Sequence, residues 1–144
     1  MNCALRIVNV SERFMSDAVV QALVNTGKWS ESTARLAHRA GFRCEYCDLD
    51  LLASVTAYKL FEVDHIVPTS KGGDIADPEN LALSCRHCNF YFKRSWDPRS
   101  SIDERPPRDE LILRVRNYLA GIKQRRLSDL NEVRMILGRA AVAS

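Results

Sequence analysis

Four cysteines fall in two matched pairs, Cys44-x2-Cys47 and Cys85-x2-Cys88, with 37 residues between them. A C-x2-C turn presents two thiolates to one ion, and two such turns complete a tetrahedron. The pattern points to a structural Zn2+ held by Cys44, Cys47, Cys85 and Cys88, a closed site with no position left for substrate. Such an ion would staple the two ends of the intervening segment and decide whether a small fold exists. The fifth cysteine, Cys3, stands apart and reads as a bystander.

Inside that segment, "FEVDHIVPTSKGGD" (Phe61–Asp74) ends a strand-like run in adjacent Asp64 and His65. A core would rather hold neither. An imidazole titrates near about pH 6.5 and can take a proton from water at neutral pH. A carboxylate suits a hard divalent ion. The plain alternative is an Asp-His pair hydrogen-bonded in a surface loop. There is also a geometric demand. Strand neighbours point to opposite faces, so Asp64 and His65 serve one site only if the strand bends or ends there, or if metal and base approach from either side. Pro68 and Gly72-Gly73 just beyond fit an ending near His65.

The elements that must position these residues read as follows. "SERFMSDAVVQALVNTG" is a helix with Ser11 as N-cap and Gly27 as stop, and "SESTARLAHRAGF" is a shorter helix closed by Gly41. His38 on it is a surface or packing residue. "FRCEYCDLDL" is a knuckle-like turn. "SVTAYKLFEVDHIV" reads as strand from its β-branched and aromatic content, and "LALS" as a second, short strand. "PTSKGGDIADPEN" is a loop. "CRHCNFYFKRSW" begins as the second knuckle and continues as helix; its Phe90, Tyr91, Phe92 and Trp96 are expected in the core, with base stacking as the alternative. A polar linker, "DPRSSIDERPPR", leads to two amphipathic helices, "DELILRVRNYLAGI" and "LSDLNEVRMILGRA", the second capped by Ser128. The flanking helices are read as ordinary packing, with docking of a partner protein or a second copy as the alternative.

The chain has 144 residues, enough for one domain. The expected division is N-terminal helices at 1–40, a core at 41–96, and linker and C-terminal helices at 97–144. No apolar run reaches the roughly 20 residues that cross a bilayer, and the N-terminus lacks a signal-peptide pattern. A cytoplasmic location with reduced thiols is therefore expected. The net charge of +3 is unevenly spread: Cys44–Cys85 carries eight Asp and Glu against two Lys and Arg, whereas Arg86–Arg126 carries eleven Lys and Arg against five Asp and Glu. Acidic residues gather where a metal would sit, and basic ones where a phosphate backbone would lie.

The full pattern is Cys44-x2-Cys47, Val63-Asp64-His65-Ile66-Val67-Pro68, Lys71-Gly72-Gly73, Glu79-Asn80-Leu81 and Cys85-x2-Cys88-Asn89. It resembles the HNH endonucleases of the zinc-knuckle type, over roughly Gly41 to Trp96. The resemblance implies an α+β fold: a ββα-metal core of two strands and a helix around one catalytic divalent ion, with the four-cysteine zinc site beside it and α-helices on either flank. It implies His65 as general base and Asn80 as the brace that orients it. It implies Asp64 and Asn89 as ligands of the catalytic ion, an H-N-N variant. Mg2+ is expected there, with Mn2+ or Ni2+ as alternatives. Many relatives carry Lys three residues after the last Asn; here that place is Phe92. Lys93, or Arg94 beside it, is expected to reach phosphate instead, together with Lys71. The implied activity is hydrolysis of DNA phosphodiesters to 5′-phosphate and 3′-hydroxyl ends, with RNA as an open alternative substrate. The competing readings are a non-catalytic zinc-knuckle module that binds nucleic acid, or a nuclease subunit that needs a partner, as in a defence or mobile-element system.

Overall fold

The structure is a computed structural model and describes residues 10–143. Cys3 lies outside the described residues. Two helices open the fold, α1 (Val10–Asn25) and α2 (Glu31–Arg39), and they pack on each other. Ser11 falls inside α1 rather than capping it. Gly27, at φ +72°, ends that helix. Ser30 caps α2 by accepting from the Thr33 amide at 3.2 Å. Arg35 then ties the pair together through Asp17 and Glu31, at 2.9 and 2.8 Å.

A tight hairpin follows, bridged between Arg43 and Asp50. The next stretch departs from the expected long strand. Residues Val55–Lys59 form a short helix, α3, because Ser54 accepts from the Ala57 amide at 3.0 Å and starts a helical turn. The β-branched Val55 is left in solvent with no strand to pair. Only Phe61–His65 is strand, β1. It pairs antiparallel with β2 (Leu81–Cys85), Phe61 opposite Cys85 and His65 opposite Leu81. The outer edge of β2 is closed by Glu45. Its amide donates to the Leu83 carbonyl, and its carboxylate accepts from the Leu83 amide, both at 2.8 Å. An otherwise bare strand edge is thereby paired.

After β2 the chain enters a π-helix, His87–Lys93, in which the Arg94 amide reaches the Asn89 carbonyl five residues back at 2.8 Å. The last element is a single helix, α4 (Arg108–Ile136), in place of the two expected. Gly121 alone is too weak a breaker, since one helical glycine costs only about 1 kcal/mol, and the flanking Lys, Gln and Arg favour helix. Ser128 is no cap; its hydroxyl donates back to the Gln124 carbonyl at 3.2 Å. The first half of α4 buries Leu111, Ile112, Val115 and Leu119 against Leu36, Leu51, Ile66 and Leu83. Its second half leaves Leu130, Val133, Met135 and Ile136 exposed. Among the described residues no helix is long and apolar enough to cross a membrane.

Candidate functional site

The two knuckles meet. Cys44 and Cys47 lie on the tight hairpin, which turns at Asp48 with φ 64° while the Cys44 carbonyl accepts from the Asp48 amide at 2.8 Å. Cys85 ends β2, and Cys88 lies in the first turn of the π-helix. The four sulfurs lie within 4.8 Å of one another, Cys47 and Cys85 at 3.8 Å. Sulfurs this close compete for protons. Hydrogen bonding to Cys44 draws the Cys85 thiol down to about 6, while contact with its three neighbours holds Cys88 far above the usual thiol range. A soft divalent cation relieves that competition by taking all four as thiolates, and four sulfurs fit tetrahedral zinc. Two donors steady the cluster: the Cys85 amide to Cys44 Sγ at 3.2 Å and Lys123 Nζ to Cys88 Sγ at 3.5 Å.

A second polar centre lies where β1 ends. Glu62 and Asp64 share one face of the strand, the face covered by the π-helix. Asp64 is buried, and two donors converge on its Oδ2: Tyr46 Oη at 2.6 Å and Lys93 Nζ at 2.9 Å. Burial first, and the Asp64 charge second, push the Tyr46 phenol well above its ordinary range. Lys93 also donates to the His65 carbonyl at 2.9 Å. It thus straps both residues of the Asp-His pair to the π-helix. One turn earlier, Asn89 Nδ2 donates to Glu62 Oε2 at 2.9 Å, while Glu62 Oε1 accepts from Arg86 at 2.9 Å. With its nitrogen so held, the free end of the Asn89 amide is its oxygen.

The strand ends at His65, which still pairs opposite Leu81, so Asp64 and His65 diverge. The imidazole leaves on the side away from Asp64, its Nε2 lying 3.4 Å from the Ile75 carbonyl. The loop beyond is clamped by Asn80, which is buried. Its Oδ1 accepts from the Val67 amide at 2.9 Å, and its Nδ2 donates to the carbonyls of Val67 and Asp74 at 3.1 and 2.9 Å. Gly73 makes this clamp possible. A Cβ there would stand 1.9 Å from the Val67 carbonyl oxygen and 2.9 Å from Asn80 Nδ2.

Residues 44–90, which span both knuckles, the β1–β2 pair and the start of the π-helix, match the family model described as HNH endonuclease. This stretch is similar to HNH endonuclease domains. The comparisons with curated proteins and with solved structures returned no match.

Within and beside this stretch, several expectations change. Lys93 is not a phosphate contact: its side chain is completely buried and paired with Asp64. The wide turn of the π-helix carries it over the strand end rather than out to solvent. Lys71 and Arg94, by contrast, are exposed. The side chain of Arg94 makes no hydrogen bond or ion pair among the described residues. The basic stretch is largely spent on the acidic one, with Arg86 on Glu62, Lys93 on Asp64 and Arg108 on Glu45. The aromatic run divides. Phe92 and Trp96 pack inward, Trp96 stacked on Tyr118 with centroids 4.0 Å apart, as core residues should be. Phe90 and Tyr91 face solvent, against the expectation. Sequence reasoning passed over Glu62 and Tyr46. Glu62 had one visible signal, its place two residues before Asp64 on the same strand face. Tyr46 had none beyond lying inside a C-x2-C turn.

Proposed function

We propose that the HNH domain hydrolyses nucleic-acid phosphodiester bonds, DNA first, with His65 as general base. One observation carries this reading: His65 stands at the end of β1 against a loop that Asn80 fixes by three hydrogen bonds. The Ile75 carbonyl can only accept, so the neutral imidazole keeps its proton on Nε2 and offers Nδ1 to water. Water then attacks phosphorus as Nδ1 takes its proton, and the bond to the 3′ oxygen breaks; that oxygen takes a proton from a second water, leaving 5′-phosphate and 3′-hydroxyl ends.

The oxygen donors present fit a hard divalent ion. Both bonds to Asp64 fall on Oδ2, and the Asn89 amide is fixed through its nitrogen, so an oxygen of each is left for an ion such as Mg2+. When bound, that ion would supply charge stabilisation at the phosphate and the leaving oxygen. Lys93 and Tyr46 hold Asp64 in place; Glu62 holds Asn89. Arg94 and Lys71 are the exposed cations available to the backbone phosphates.

The test is cleavage of supercoiled plasmid by the zinc-loaded chain, with Mg2+ or Mn2+, beside His65→Ala. Metal-dependent cutting that falls by about 10²- to 10⁴-fold in the variant is the expected result. A folded wild type that binds nucleic acid and never cuts it would establish a non-catalytic binding module instead.

A further inference from the structure

Phe90 and Tyr91 remain 57% and 59% exposed on the outer face of the π-helix, although their neighbours Phe92 and Trp96 are packed inward. Two adjacent aromatic rings in solvent are unusual for a residue class that dominates cores and interfaces. They are also held in place. The rings meet edge to face, with centroids 5.2 Å apart, and the Arg86 guanidinium sits 4.7 Å from the centre of Phe90. His87 packs edge-on to Tyr91 at 5.9 Å.

Beside these rings is a cavity of about 450 Å³, lined by Asn89, Phe90, Tyr91 and Arg94. That volume lies in the range of small-molecule sites. Arg94 occupies it in an unusual way. Its backbone stands at φ 52° and ψ −126°, a region that glycine enters freely and arginine does not. Strain of this kind is kept where the surrounding structure or function demands the side chain. The guanidinium is solvent-facing and makes no hydrogen bond or ion pair among the described residues. The fourth lining residue, Asn89, is the residue whose amide oxygen is free beside the strand end.

We infer that this face is a nucleobase-stacking site, in which Phe90 and Tyr91 receive a base that is out of its helical stack while Arg94 contacts the adjoining phosphate. The inference rests on the nuclease reading and names its substrate class: single-stranded nucleic acid, or a duplex with an unpaired position beside the bond to be cut. The reasoning is geometric. In an intact duplex the bases are stacked on each other, so a protein reaches phosphates, sugars and base edges but not the base faces. Rings placed next to a phosphate-handling residue find a partner only when a base is already free, or has been drawn out at a cost in stacking and pairing. Stacking on aromatic side chains is tolerant of base identity, so no sequence preference is expected from these rings.

The experiment uses the zinc-loaded full chain carrying His65→Ala, so that binding is read without cutting. The probes are oligonucleotides bearing 2-aminopurine, whose fluorescence is quenched on stacking: a single strand, a duplex with the probe unpaired, and a fully matched duplex. The expected result is quenching and tighter binding for the first two. Adding Phe90→Ala and Tyr91→Ala should abolish the quenching and weaken binding about tenfold or more. Arg94→Gly should weaken binding too, yet leave thermal stability equal or higher, because it relieves the backbone. Equal binding of all three probes, or unchanged quenching in the ring variants, would overturn the inference; so would binding to no oligonucleotide, which would turn this face into a protein-docking surface. Plasmid cleavage by the chain with His65 and both rings intact separates the two readings. Cutting by that chain, with no quenching by its His65→Ala form, sinks the stacking site and spares the nuclease. Quenching by a protein that never cuts does the reverse.

Discussion

The cysteine centre and the end of β1 are built from the same two pieces of chain and are stabilised in opposite ways. In the hairpin, Cys44 and Cys47 turn to the sulfur cluster, Tyr46 between them donates to Asp64, and Glu45 closes the edge of β2. In the π-helix, Cys88 turns to the cluster, while Asn89 and Lys93 turn to Glu62 and Asp64. The cysteine centre brings like groups together and coheres only through a cation. The strand end brings opposite charges together and coheres by itself. The cysteine centre therefore fixes the hairpin and π-helix that carry the partners of the polar strand end, and losing the first should loosen the second.

The largest effect expected follows from that dependence. Replacing Cys88 with Ala, or stripping the ion with a strong chelator, removes the four-sulfur link that joins hairpin, β2 and π-helix. Structural zinc contributes on the order of 10–16 kcal/mol in small domains, more than the entire stability of most proteins of this size. Cooperative thermal unfolding should vanish, and Tyr46 should become accessible to solvent, visible in its near-ultraviolet signal. A variant that unfolds as cooperatively as wild type would mean that the strand end holds the core unaided.

Next in size is Lys93→Met. It leaves the Asp64 carboxylate buried with only the Tyr46 hydroxyl for company, and breaking a buried pair from one side costs about 3–5 kcal/mol. Urea unfolding should register that loss. Adding Asp64→Asn removes the stranded charge and should recover much of it, because the two side chains act as one unit. If Lys93→Met costs no more than a surface ion pair, under about 1 kcal/mol, then Lys93 is not the strap described here.

The two centres also differ in how far the sequence discloses them. The cysteine centre was readable whole, because four thiols in two x2 pairs specify both ligands and geometry. Of the strand end, Asp64, His65, Asn80 and Asn89 could be named from their types and order within the chain. Their partners could not. Tyr46 lies 18 residues from Asp64 and Lys93 lies 29 away, and nothing local distinguishes them from ordinary surface residues. Charge counting misled for the same reason. The acidic and basic stretches looked like separate metal-facing and phosphate-facing surfaces, yet folding spends Arg86, Lys93 and Arg108 on Glu62, Asp64 and Glu45. Local patterns failed where a single residue tipped the outcome: Ser54 started helix α3 in a stretch whose composition favours strand, and Gly121 did not stop α4.

Tyr46 gives the smallest effect and the sharpest probe, since it stands between two metal-ligand positions and serves the other centre. Removing its hydroxyl in Tyr46→Phe deletes a hydrogen bond to a charged group, worth about 1.5–3 kcal/mol, and leaves Lys93 on Asp64. The pH dependence identifies this contribution. Burial, then the Asp64 charge, raise the folded-state phenol above the ordinary value of about 10. The folded chain therefore holds the proton more tightly than the unfolded one. Its contribution is complete below pH 10 and is lost as pH rises through the folded-state value. The stability difference between wild type and Tyr46→Phe, measured by urea unfolding, should stay flat from pH 7 to about pH 9 and shrink above about pH 10. Taking the difference cancels the titration of lysines and free thiols, which both chains share. A difference that instead declined on acidification would place the effect on the Asp64 carboxylate, and the phenol would then be a follower of that charge rather than its anchor.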